Sequence, residues 1–338
     1  MDWKRNGILV TGGASFIGSH LVDALVLRGA TVRVVDDLSS GHLENIQGHI
    51  ERQHVEFIQA DLHEAGVAEH AVRGMDVVFH LAADHGGRGY LEAHQASVTA
   101  NLVLDGVVFR ACRRAGIQKI IYASSACVYP KSKQTDAQIE AYLTEDMIGP
   151  PFDADNVYGW AKLMGEMTLR AYHRDYGIKT AVCRYFTVYG ERGAENHAII
   201  AMIARAFIRQ DPFVVWGDGE QIRNWTYVRD IVEGTILAAE KIEDGSAVNL
   251  GTMERTRVID AAREILRYTK HEARVELHPE MPTGPLNRVA DNALAKKLLG
   301  WQPTVKFVDG LHRTVDWYFQ TKNLEQVRST LDRLLVER

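Results

Sequence analysis

The chain has 338 residues, a length that suits two lobes or one large α/β domain better than one small core. Its 46% hydrophobic and 25% charged residues are ordinary for a globular protein, and a net charge of −5 without charge blocks argues against a nucleic-acid or membrane surface. We find no signal peptide or membrane-spanning stretch, and three distant cysteines indicate neither a disulfide framework nor a metal site, so we expect no metal and a reducing cytoplasm.

The first half of the chain alternates strand-like and helical patterns. It starts with the short apolar run "GILVTGG", which breaks at glycine, and the helical pattern "SFIGSHLVDALVLRG" follows. The later strand-like segments are "ATVRVVDDL", "HVEFIQADL", "MDVVFHLAA", "IQKIIYASS" and "IKTAVCRYF". This order predicts an α/β fold with a doubly wound parallel sheet, and such sheets bind ligands at the carboxyl ends of their strands.

After about Tyr189 the alternation weakens. Helical segments such as "AIIAMIARAFIRQ" are mixed with short strands such as "PFVVWGDG". We therefore predict a smaller mixed α/β lobe over the ligand edge of the sheet. The predicted division is 1–189, 190–322 and 323–338, with the chain free to cross between the first two lobes. The last segment is an amphipathic helix that either packs on its own subunit or forms a dimer contact.

Glycines mark the first strand-to-helix turn. Gly12 permits a tight turn and Gly18 permits close helix–strand packing, which leaves N–H groups free to face a pyrophosphate. The next strand ends at Asp36, where a carboxylate accepts from ribose hydroxyls and repels a 2′-phosphate. The pattern predicts a site for NAD. The alternative is a helix-capping turn followed by a surface aspartate.

The segment "YGWAK" places Tyr158 and Lys162 four residues apart, on one face of a helix. A tyrosine with its ordinary pKa of about 10 is a poor base, but a nearby ammonium stabilises the phenolate and lowers that pKa. Ser125, at the end of "YASS", is placed to bond the same substrate oxygen. These residues predict proton removal from a sugar hydroxyl coupled to hydride transfer. An ordinary amphipathic helix is the alternative.

Together these residues resemble the extended short-chain dehydrogenases/reductases, Rossmann-type enzymes that act mainly on nucleotide sugars. The resemblance covers nearly the whole chain and includes "VFHLAA", "TANL", "RYFTVYG", "WGDGEQIRNWTYVRD" and "LLGWQP". It implies a nucleotide-diphosphate sugar as substrate, an NAD that stays bound and is recycled, and a homodimer formed through two helices of the first lobe.

The resemblance also implies which residues contact each ligand. Those expected near the cofactor are Gly12, Ser15, Phe16, Ile17, Gly18, Asp36, Asp61, Leu62, Ala82, Asn101, Tyr158 and Lys162. Those expected near the nucleotide diphosphate are Trp216, Gln221, Arg223 and Arg288. Arginine suits this role because its planar fork stays charged and matches phosphate oxygens. For Arg223 a surface ion pair is the alternative.

Ser15 departs from the family, which has glycine at the middle of this turn ("TGGAGFIG" against "TGGASFIG"). If the backbone there had a positive φ, serine would cost about 1 kcal/mol. Its hydroxyl would offset that cost by bonding a phosphate oxygen. We expect NAD binding to survive the change.

Cys127 stands in "YASSACVYP" where many relatives have serine or threonine. With the glycine-rich "AADHGGRG", which contains Gly87 and Arg88, it resembles the GDP-mannose 3,5-epimerases within the family. Oxidising C4 of a sugar acidifies the protons on C3 and C5, and a thiol can serve as acid or base for their exchange. The alternative is a small buried residue that fills a gap.

The second acid/base is where the resemblance weakens. Those epimerases use a lysine after the "YG" strand end, whereas "ERGAENHAII" has none, and His197 or Asn196 falls at that position. His197 can protonate an enolate, bind the sugar or simply start a helix. Thr187 and Arg88 replace an asparagine and a methionine of those epimerases.

The sequence thus predicts an NAD-dependent nucleotide-sugar epimerase that acts through a transient keto-sugar on a GDP-hexose. Nucleotide-sugar 4-epimerases, dehydratases, decarboxylases and pyranose–furanose mutases share the first oxidation and stay open as alternatives. A non-catalytic NAD-binding sensor or scaffold is the alternative from another class.

Overall fold

A computed structural model describes residues 2–335 of the chain. The strands are, in chain order, β1 Ile8–Thr11, β2 Val32–Asp36, β3 Val55–Gln59, β4 Val77–His80, β5 Lys119–Ser125, β6 Lys179–Tyr185, β7 Val188–Tyr189, β8 Phe213–Trp216, β9 Ile222–Arg223, β10 Thr226–Tyr227, β11 Asp244–Leu250, β12 Thr256–Arg257, β13 Val275–His278 and β14 Asn287–Arg288. The helices are α1 Phe16–Leu27, α2 Gln47–Glu51, α3 Val67–Ala71, α4 Arg88–Ala93, α5 Gln95–Val98, α6 Ala100–Ala115, α7 Asn156–Tyr176, α8 Ala198–Phe207, α9 Val228–Lys241, α10 Val258–Tyr268, α11 Ala293–Leu299, α12 Phe307–Thr321 and α13 Leu324–Leu334.

A seven-stranded parallel sheet in the order β11-β6-β5-β4-β1-β2-β3 forms the centre of the molecule. β1 pairs with β2 on one side and β4 on the other, with Val10 opposite Val34 and Phe79. Helices cover both faces, so strands such as β1 and β4 are buried along their whole length. The chain order reverses beside β1, which opens a crevice at the carboxyl ends of the strands. The predicted doubly wound α/β fold is confirmed.

The last strand of this sheet, β11, comes from beyond residue 189. It pairs in parallel with β6, with Val248 opposite Cys183. The chain therefore returns to the sheet after forming part of a second lobe. That lobe contains the small sheets β10-β7, β12-β9-β14 and β13-β8.

The second lobe has its own apolar core. Ile203 of α8, Phe213 of β8, Ile265 of α10 and Leu311 of α12 are all buried in it. This core lies beside the carboxyl ends of the sheet strands, where the two lobes enclose the cavity described below.

The predicted C-terminal amphipathic helix is α13. Val327 and Leu331 are buried against the core of the second lobe, so the helix packs on its own chain. Positions 336–338 of the predicted tail lie outside the described residues. Among residues 2–335, the helices are too short or too polar to cross a lipid bilayer.

Candidate active site

The carboxyl ends of the sheet strands open into a cavity of about 1310 Å³ that the second lobe covers. The lining residues that the sequence predicted are Gly12, Ser15, Phe16, Ile17, Gly18, Asp36, Asp61, Leu62, Ala82, Gly87, Arg88, Ser125, Cys127, Tyr158, Lys162, Thr187, Asn196, His197, Trp216, Gln221, Arg223 and Arg288. The residues predicted to bind the cofactor and those predicted to bind the substrate therefore line the same cavity.

The glycine turn between β1 and α1 leaves no space for side chains. Gly12 has φ +69°, and a β-carbon there would lie 2.9 Å from the amide nitrogen of Ala82. A β-carbon on Gly18 would lie 2.1 Å from the carbonyl oxygen of Gly12. The buried Asp36 carboxylate accepts from the N–H groups of Ala14 and Leu38, each over 2.9 Å, which fixes the turn against β2. This cradle at the start of α1 fits the pyrophosphate and ribose of NAD.

Ser15 is not strained. Its φ of −84° is an ordinary extended value, so the positive φ considered from the sequence is absent. Its hydroxyl donates to the carbonyl oxygen of Gly12 over 2.7 Å. Because a serine hydroxyl has one proton, the expected bond from Ser15 to a phosphate oxygen is not available in this geometry.

Asp61, expected near adenine, and Asn101, expected near the cofactor, lie in two layers. Asp61 lines the cavity, and its carboxylate accepts from the amide and the ring Nδ1 of His63, each over 2.8 Å. Asn101 lies behind the wall instead of in it. Its amide nitrogen donates to the carbonyl of Asp84 over 2.9 Å, and its oxygen accepts from the Asp84 amide over 2.7 Å. Asn101 therefore fixes the loop after β4.

Tyr158 and Lys162 lie on the face of α7 that borders the cavity, as the four-residue spacing predicts. Both are buried, and the Lys162 Nζ lies 5.7 Å from the centre of the Tyr158 ring. Ser125 ends β5, and its Oγ accepts from the Cys127 amide over 3.1 Å. The ring of His85, a residue that sequence reasoning quoted only within its loop, stacks on Tyr158 with centroids 4.7 Å apart.

The pKa of Tyr158 moves in the opposite direction to the sequence prediction. Burial raises it well above its ordinary value, and electrostatic interactions with Cys127 and Asp105 add to the effect. Burial also lowers the pKa of Lys162, which the Asp105 carboxylate partly offsets. In the ligand-free protein the lysine therefore does not make the phenol a base.

A buried polar network that the sequence did not reveal lies behind Lys162. Its Nζ lies 4.7 Å from the centre of the Tyr122 ring, and the Tyr122 hydroxyl donates to Asp105. Asp105 also pairs with His80 Nε2 at 3.0 Å, and His80 Nδ1 lies 2.7 Å from the hydroxyl of Thr11. Thr11 accepts from the Ala82 amide, so the network connects the lysine with the glycine turn.

The Cys127 thiol lies next to a guanidinium group. Its Sγ accepts from Nη1 of Arg288 over 3.3 Å, while Nη2 of Arg288 donates to Asp155 over 2.8 Å. Arg88 reaches the same Asp155 carboxylate over 3.1 Å. Although burial raises the pKa of Asp155, the charges of Arg288 and Arg88 outweigh it and hold that pKa below its usual value. The site therefore holds a charged network around the thiol.

Arg223 is a third cation of this region. Burial lowers its pKa to about 9, and repulsion by Arg288 and Arg88 adds to the effect. Its Nη2 donates to the Thr283 carbonyl over 2.8 Å, and within residues 2–335 it forms no ion pair. Residues 2–335 thus give no support to the surface ion-pair alternative. Three guanidinium groups near one buried carboxylate give this wall an excess of positive charge, which suits a diphosphate.

The position of the missing lysine is occupied by the segment before α8. His197 lies at the N-terminus of α8, and burial lowers its pKa to about 4, so its imidazole is neutral at pH 7. Its ring lies 5.6 Å from that of His85. Thr187 lines the same part of the cavity.

The two loops that carry the sugar-binding candidates touch each other. A β-carbon on Gly87 would lie 1.6 Å from the carbonyl oxygen of Asn196. The glycine loop after β4 therefore fits against the segment before α8 only because residue 87 has no side chain.

The β8 end of the cavity contains Trp216 and the buried Gln221. The amide nitrogen of Gln221 reaches the Trp216 carbonyl at 3.5 Å, and its Oε1 has no hydrogen-bond partner within residues 2–335. A buried acceptor of this kind is suited to a ligand hydroxyl or amide.

The comparisons with known proteins decide the family. Residues 8–251 match the model of the NAD dependent epimerase/dehydratase family. The chain belongs to this family. It is 33% identical to a GDP-mannose 3,5-epimerase of Oryza sativa subsp. japonica over 92% of the chain and 81% of the relative. It is 30% identical to the GDP-mannose 3,5-epimerase of Arabidopsis thaliana over 96% and 85%.

Solved structures agree on the fold and the enzyme class. A UDP-glucose 4-epimerase of Thermotoga maritima, solved with UDP-glucose, has a TM-score of 0.83 at 30% identity and covers 93% of this chain and 99% of its own. A UDP-glucuronic acid 4-epimerase of Bacillus cereus, solved with UDP-glucuronic acid and NAD, has a TM-score of 0.83 at 30% identity, with 94% and 100% covered. The protein is therefore an NAD-dependent enzyme of the nucleotide-sugar epimerase/dehydratase type.

Proposed function

We propose that the protein epimerises a GDP-hexose at C3, C5 or both through a transient 4-keto sugar, with NAD kept bound and recycled. The observation that carries the proposal is the thiol of Cys127, which lines the same cavity as Tyr158 and Ser125 and is contacted by Arg288. A 4-epimerase needs no such thiol.

The first step is oxidation at C4. The Tyr158 oxygen takes the proton of the C4 hydroxyl, and the Ser125 hydroxyl orients that oxygen. NAD held in the cradle at Gly12 and Gly18 would supply a reversible hydride acceptor for C4. The Lys162 ammonium is buried beside the Tyr158 ring and can bond ribose hydroxyls and stabilise the phenolate.

The second step is proton exchange next to the ketone. The Cys127 thiol delivers a proton at C3 or C5, and the Arg288 guanidinium stabilises the negative charge that is left on its sulfur. We assign the opposite face of the sugar to His197, whose neutral imidazole can accept a proton. Reprotonation on the other face inverts the carbon, and hydride return then gives the product.

The charge of the cavity supports a nucleotide diphosphate. Arg223 and Arg288 lie on the wall where the positive charge is in excess, and Arg223 has no carboxylate partner within residues 2–335. The unpartnered Oε1 of Gln221 supplies an acceptor on the same side. The relatives named GDP-mannose 3,5-epimerases favour guanosine.

Deuterium incorporation tests the reaction. The enzyme is incubated with GDP-mannose in heavy water and the recovered sugar is analysed by NMR. We expect deuterium at C3 or C5, because only enolisation of the ketone exchanges those protons. Label confined to C4, or turnover without label, would refute the proposal.

A UDP-sugar 4-epimerase is the second candidate, favoured by the missing lysine in "ERGAENHAII" and by the 4-epimerase structures. Such an enzyme would rotate the keto-sugar and return the hydride without exchanging a proton. UDP-glucose converted to its C4 epimer, with no deuterium at C3 or C5, would favour this candidate.

We also propose a homodimer in a reducing cytoplasm. The outer faces of α6 and α7 expose apolar side chains, with Val103 58%, Leu102 47%, Met164 47% and Trp160 43% exposed. A second copy of this face would cover them. Light scattering should give twice the mass of the chain for the wild type and a lower value for Trp160→Glu.

A further inference from the structure

The buried network behind Lys162 contains the carboxylate of Asp105 on α6. Asp105 is 4% exposed, and within residues 2–335 no lysine or arginine forms an ion pair with it. The Tyr122 hydroxyl donates to its Oδ2, and His80 Nε2 lies 3.0 Å from its Oδ1. Two donors on two oxygens fit an ionised carboxylate, because a protonated one would have to donate at one of them.

Thr11 determines which nitrogen of His80 carries the proton. The Thr11 hydroxyl oxygen accepts from the Leu81 and Ala82 amides, each over 3.1 Å. The single proton of that hydroxyl is then directed to His80 Nδ1, at 2.7 Å. His80 Nδ1 is therefore an acceptor, and the ring proton lies on Nε2, which donates to Asp105. The carboxylate thus receives a hydrogen bond from an uncharged imidazole and keeps its negative charge.

The Lys162 ammonium lies over the ring that this carboxylate holds. Its Nζ is 4.7 Å from the centre of the Tyr122 ring, and Lys162 is 1% exposed. Burial lowers the pKa of Lys162, and the charge of Asp105 offsets part of that effect. Burial raises the pKa of Tyr122 and of Tyr158, so both phenols stay neutral in the ligand-free protein. Asp105 therefore supplies the negative charge that compensates the burial of this ammonium.

A second buried carboxylate near this network, Glu166 on α7, already has a cationic partner. It pairs with Arg184 at 2.8 Å and accepts from the Ser124 hydroxyl over 2.5 Å. Gly165, its neighbour on α7, leaves the space for Asp105, since a β-carbon there would lie 2.8 Å from the Asp105 Oδ2. The close packing of α6 on α7 thus brings the carboxylate without a cationic partner next to the catalytic helix.

We propose that Asp105 is a positioning residue of the oxidation step, whose buried carboxylate keeps Lys162 charged and in place beside Tyr158. Without this carboxylate the buried ammonium would have no counter-charge, and its neutral form would be favoured. A neutral lysine cannot stabilise the phenolate of Tyr158. The inference rests on the C4 oxidation of the proposed function, and it is independent of the nucleobase and of the carbon that is epimerised.

NMR of the ligand-free protein with lysine labelled at Cε by ¹³C tests the inference. The Lys162 signal is identified by its absence in Lys162→Arg, and in the wild type it should be that of an ammonium at pH 7.5. In Asp105→Asn the titration midpoint of Lys162 should fall by about one pH unit or more. In Asp105→Glu, which keeps the charge, the midpoint should stay within about half a unit of the wild type.

Calorimetry of NAD binding gives a second readout. Between pH 6.5 and pH 8.5 the NAD affinity of Asp105→Asn should fall by about fivefold or more, because a neutral lysine forms weaker bonds to ribose hydroxyls. The wild type should change much less over the same range. A merely structural role of Asp105 would weaken binding equally at both pH values.

The matched control is Asp230→Asn, which removes another buried carboxylate. Asp230 accepts from the Thr304 hydroxyl over 2.8 Å and from the Val305 amide over 3.0 Å. Its loss should leave the titration midpoint of Lys162 unchanged.

Three results would overturn the inference. They are an unchanged midpoint in Asp105→Asn, an equal fall in Asp105→Glu, and NAD binding to Asp105→Asn that does not depend on pH. A neutral Lys162 in the wild type at pH 7.5 would also overturn it, whether or not the variants fold. Neither readout uses a sugar, so the expected shifts in a protein that does not epimerise GDP-mannose would refute the proposed function alone.

Discussion

Arg288 donates to the Cys127 sulfur over 3.3 Å and to the Asp155 carboxylate over 2.8 Å. The Cys127 sulfur therefore contacts a charged group while it also packs in an apolar cluster with Leu91 and Val98. The Cys112 thiol is fully buried, and burial raises its pKa to about 12. This contrast supports the proposed catalytic role of Cys127 and a packing role for Cys112.

Cys127→Ser should separate the two steps of the reaction. The variant keeps the oxidation groups, so substrate should still reduce the bound NAD, as seen in the nicotinamide absorbance. Deuterium incorporation at C3 or C5 should fall by about two orders of magnitude, within the range of acid/base contributions. Cys112→Ala is the control, since its thiol lies outside the cavity wall. Normal exchange in Cys127→Ser would remove the thiol from the mechanism.

Tyr158→Phe should abolish turnover and leave NAD bound. The difference in ultraviolet absorbance between wild type and variant reports ionisation of this one phenol. Because burial raises the pKa of Tyr158, the ligand-free protein should show ionisation only above the ordinary tyrosine value of about 10, and adding NAD should lower it. A phenol that ionises near neutral pH without any ligand would contradict this structure.

His197 should make the protein less stable in acid. Its folded pKa of about 4 lies below its ordinary 6.5, so the unfolded chain binds the proton more readily as the pH falls. Stability linked to this residue is present above pH 6.5 and is lost as the pH falls toward 4. Denaturant unfolding at pH 7 and pH 5 should show about 1–2 kcal/mol less acid sensitivity in His197→Gln. Equal sensitivity in both proteins would show that the imidazole is already charged when folded.

Gly87→Ala should disrupt the contact between the two sugar loops. Its β-carbon would lie 1.6 Å from the Asn196 carbonyl oxygen, so the loops must separate, at a cost of about 1–3 kcal/mol. We expect a large loss of kcat/KM with NAD binding retained. Gly48→Ala is the matched control, because a β-carbon at the exposed Gly48 of α2 would meet only the flexible end of Arg52, at 3.6 Å, and it should be neutral or slightly stabilising. Wild-type activity in Gly87→Ala would mean that the loop contact is not needed.

Ser15→Gly should change NAD affinity by less than about threefold. The hydroxyl of Ser15 is directed to the Gly12 carbonyl, and its loss should cost roughly 1 kcal/mol of folding stability. Calorimetry for NAD and thermal unfolding measure the two effects separately. A tenfold loss of NAD affinity would restore a direct role at the phosphate.

The sequence predicted the sheet and the catalytic spacing because both follow from local patterns. Apolar runs that end at Gly12 or Ser125 mark strand ends, and the i, i+4 spacing of Tyr158 and Lys162 gives them a shared helix face. It could not predict the role of Asp155, because the two arginines that pair with this residue come from distant segments.

The prediction that Lys162 lowers the pKa of Tyr158 was wrong for a similar reason. Lys162 is close to Tyr158 in the sequence, so its effect could be predicted. Burial of the phenol and the nearby charge of Asp105 depend on how other elements pack against α7, which the sequence does not show. His85 and α13 lay within quoted segments, and their positions in the cavity wall became visible only in three dimensions.

β11 comes from residues Asp244–Leu250 and pairs with β6 at the edge of the sheet. A nascent polypeptide that has left the ribosome only as far as residue 243 would expose the β6 edge, with its backbone amides and carbonyls open to pairing with other chains. The seven-stranded sheet is therefore complete only after the residues between β6 and β11 have been synthesised.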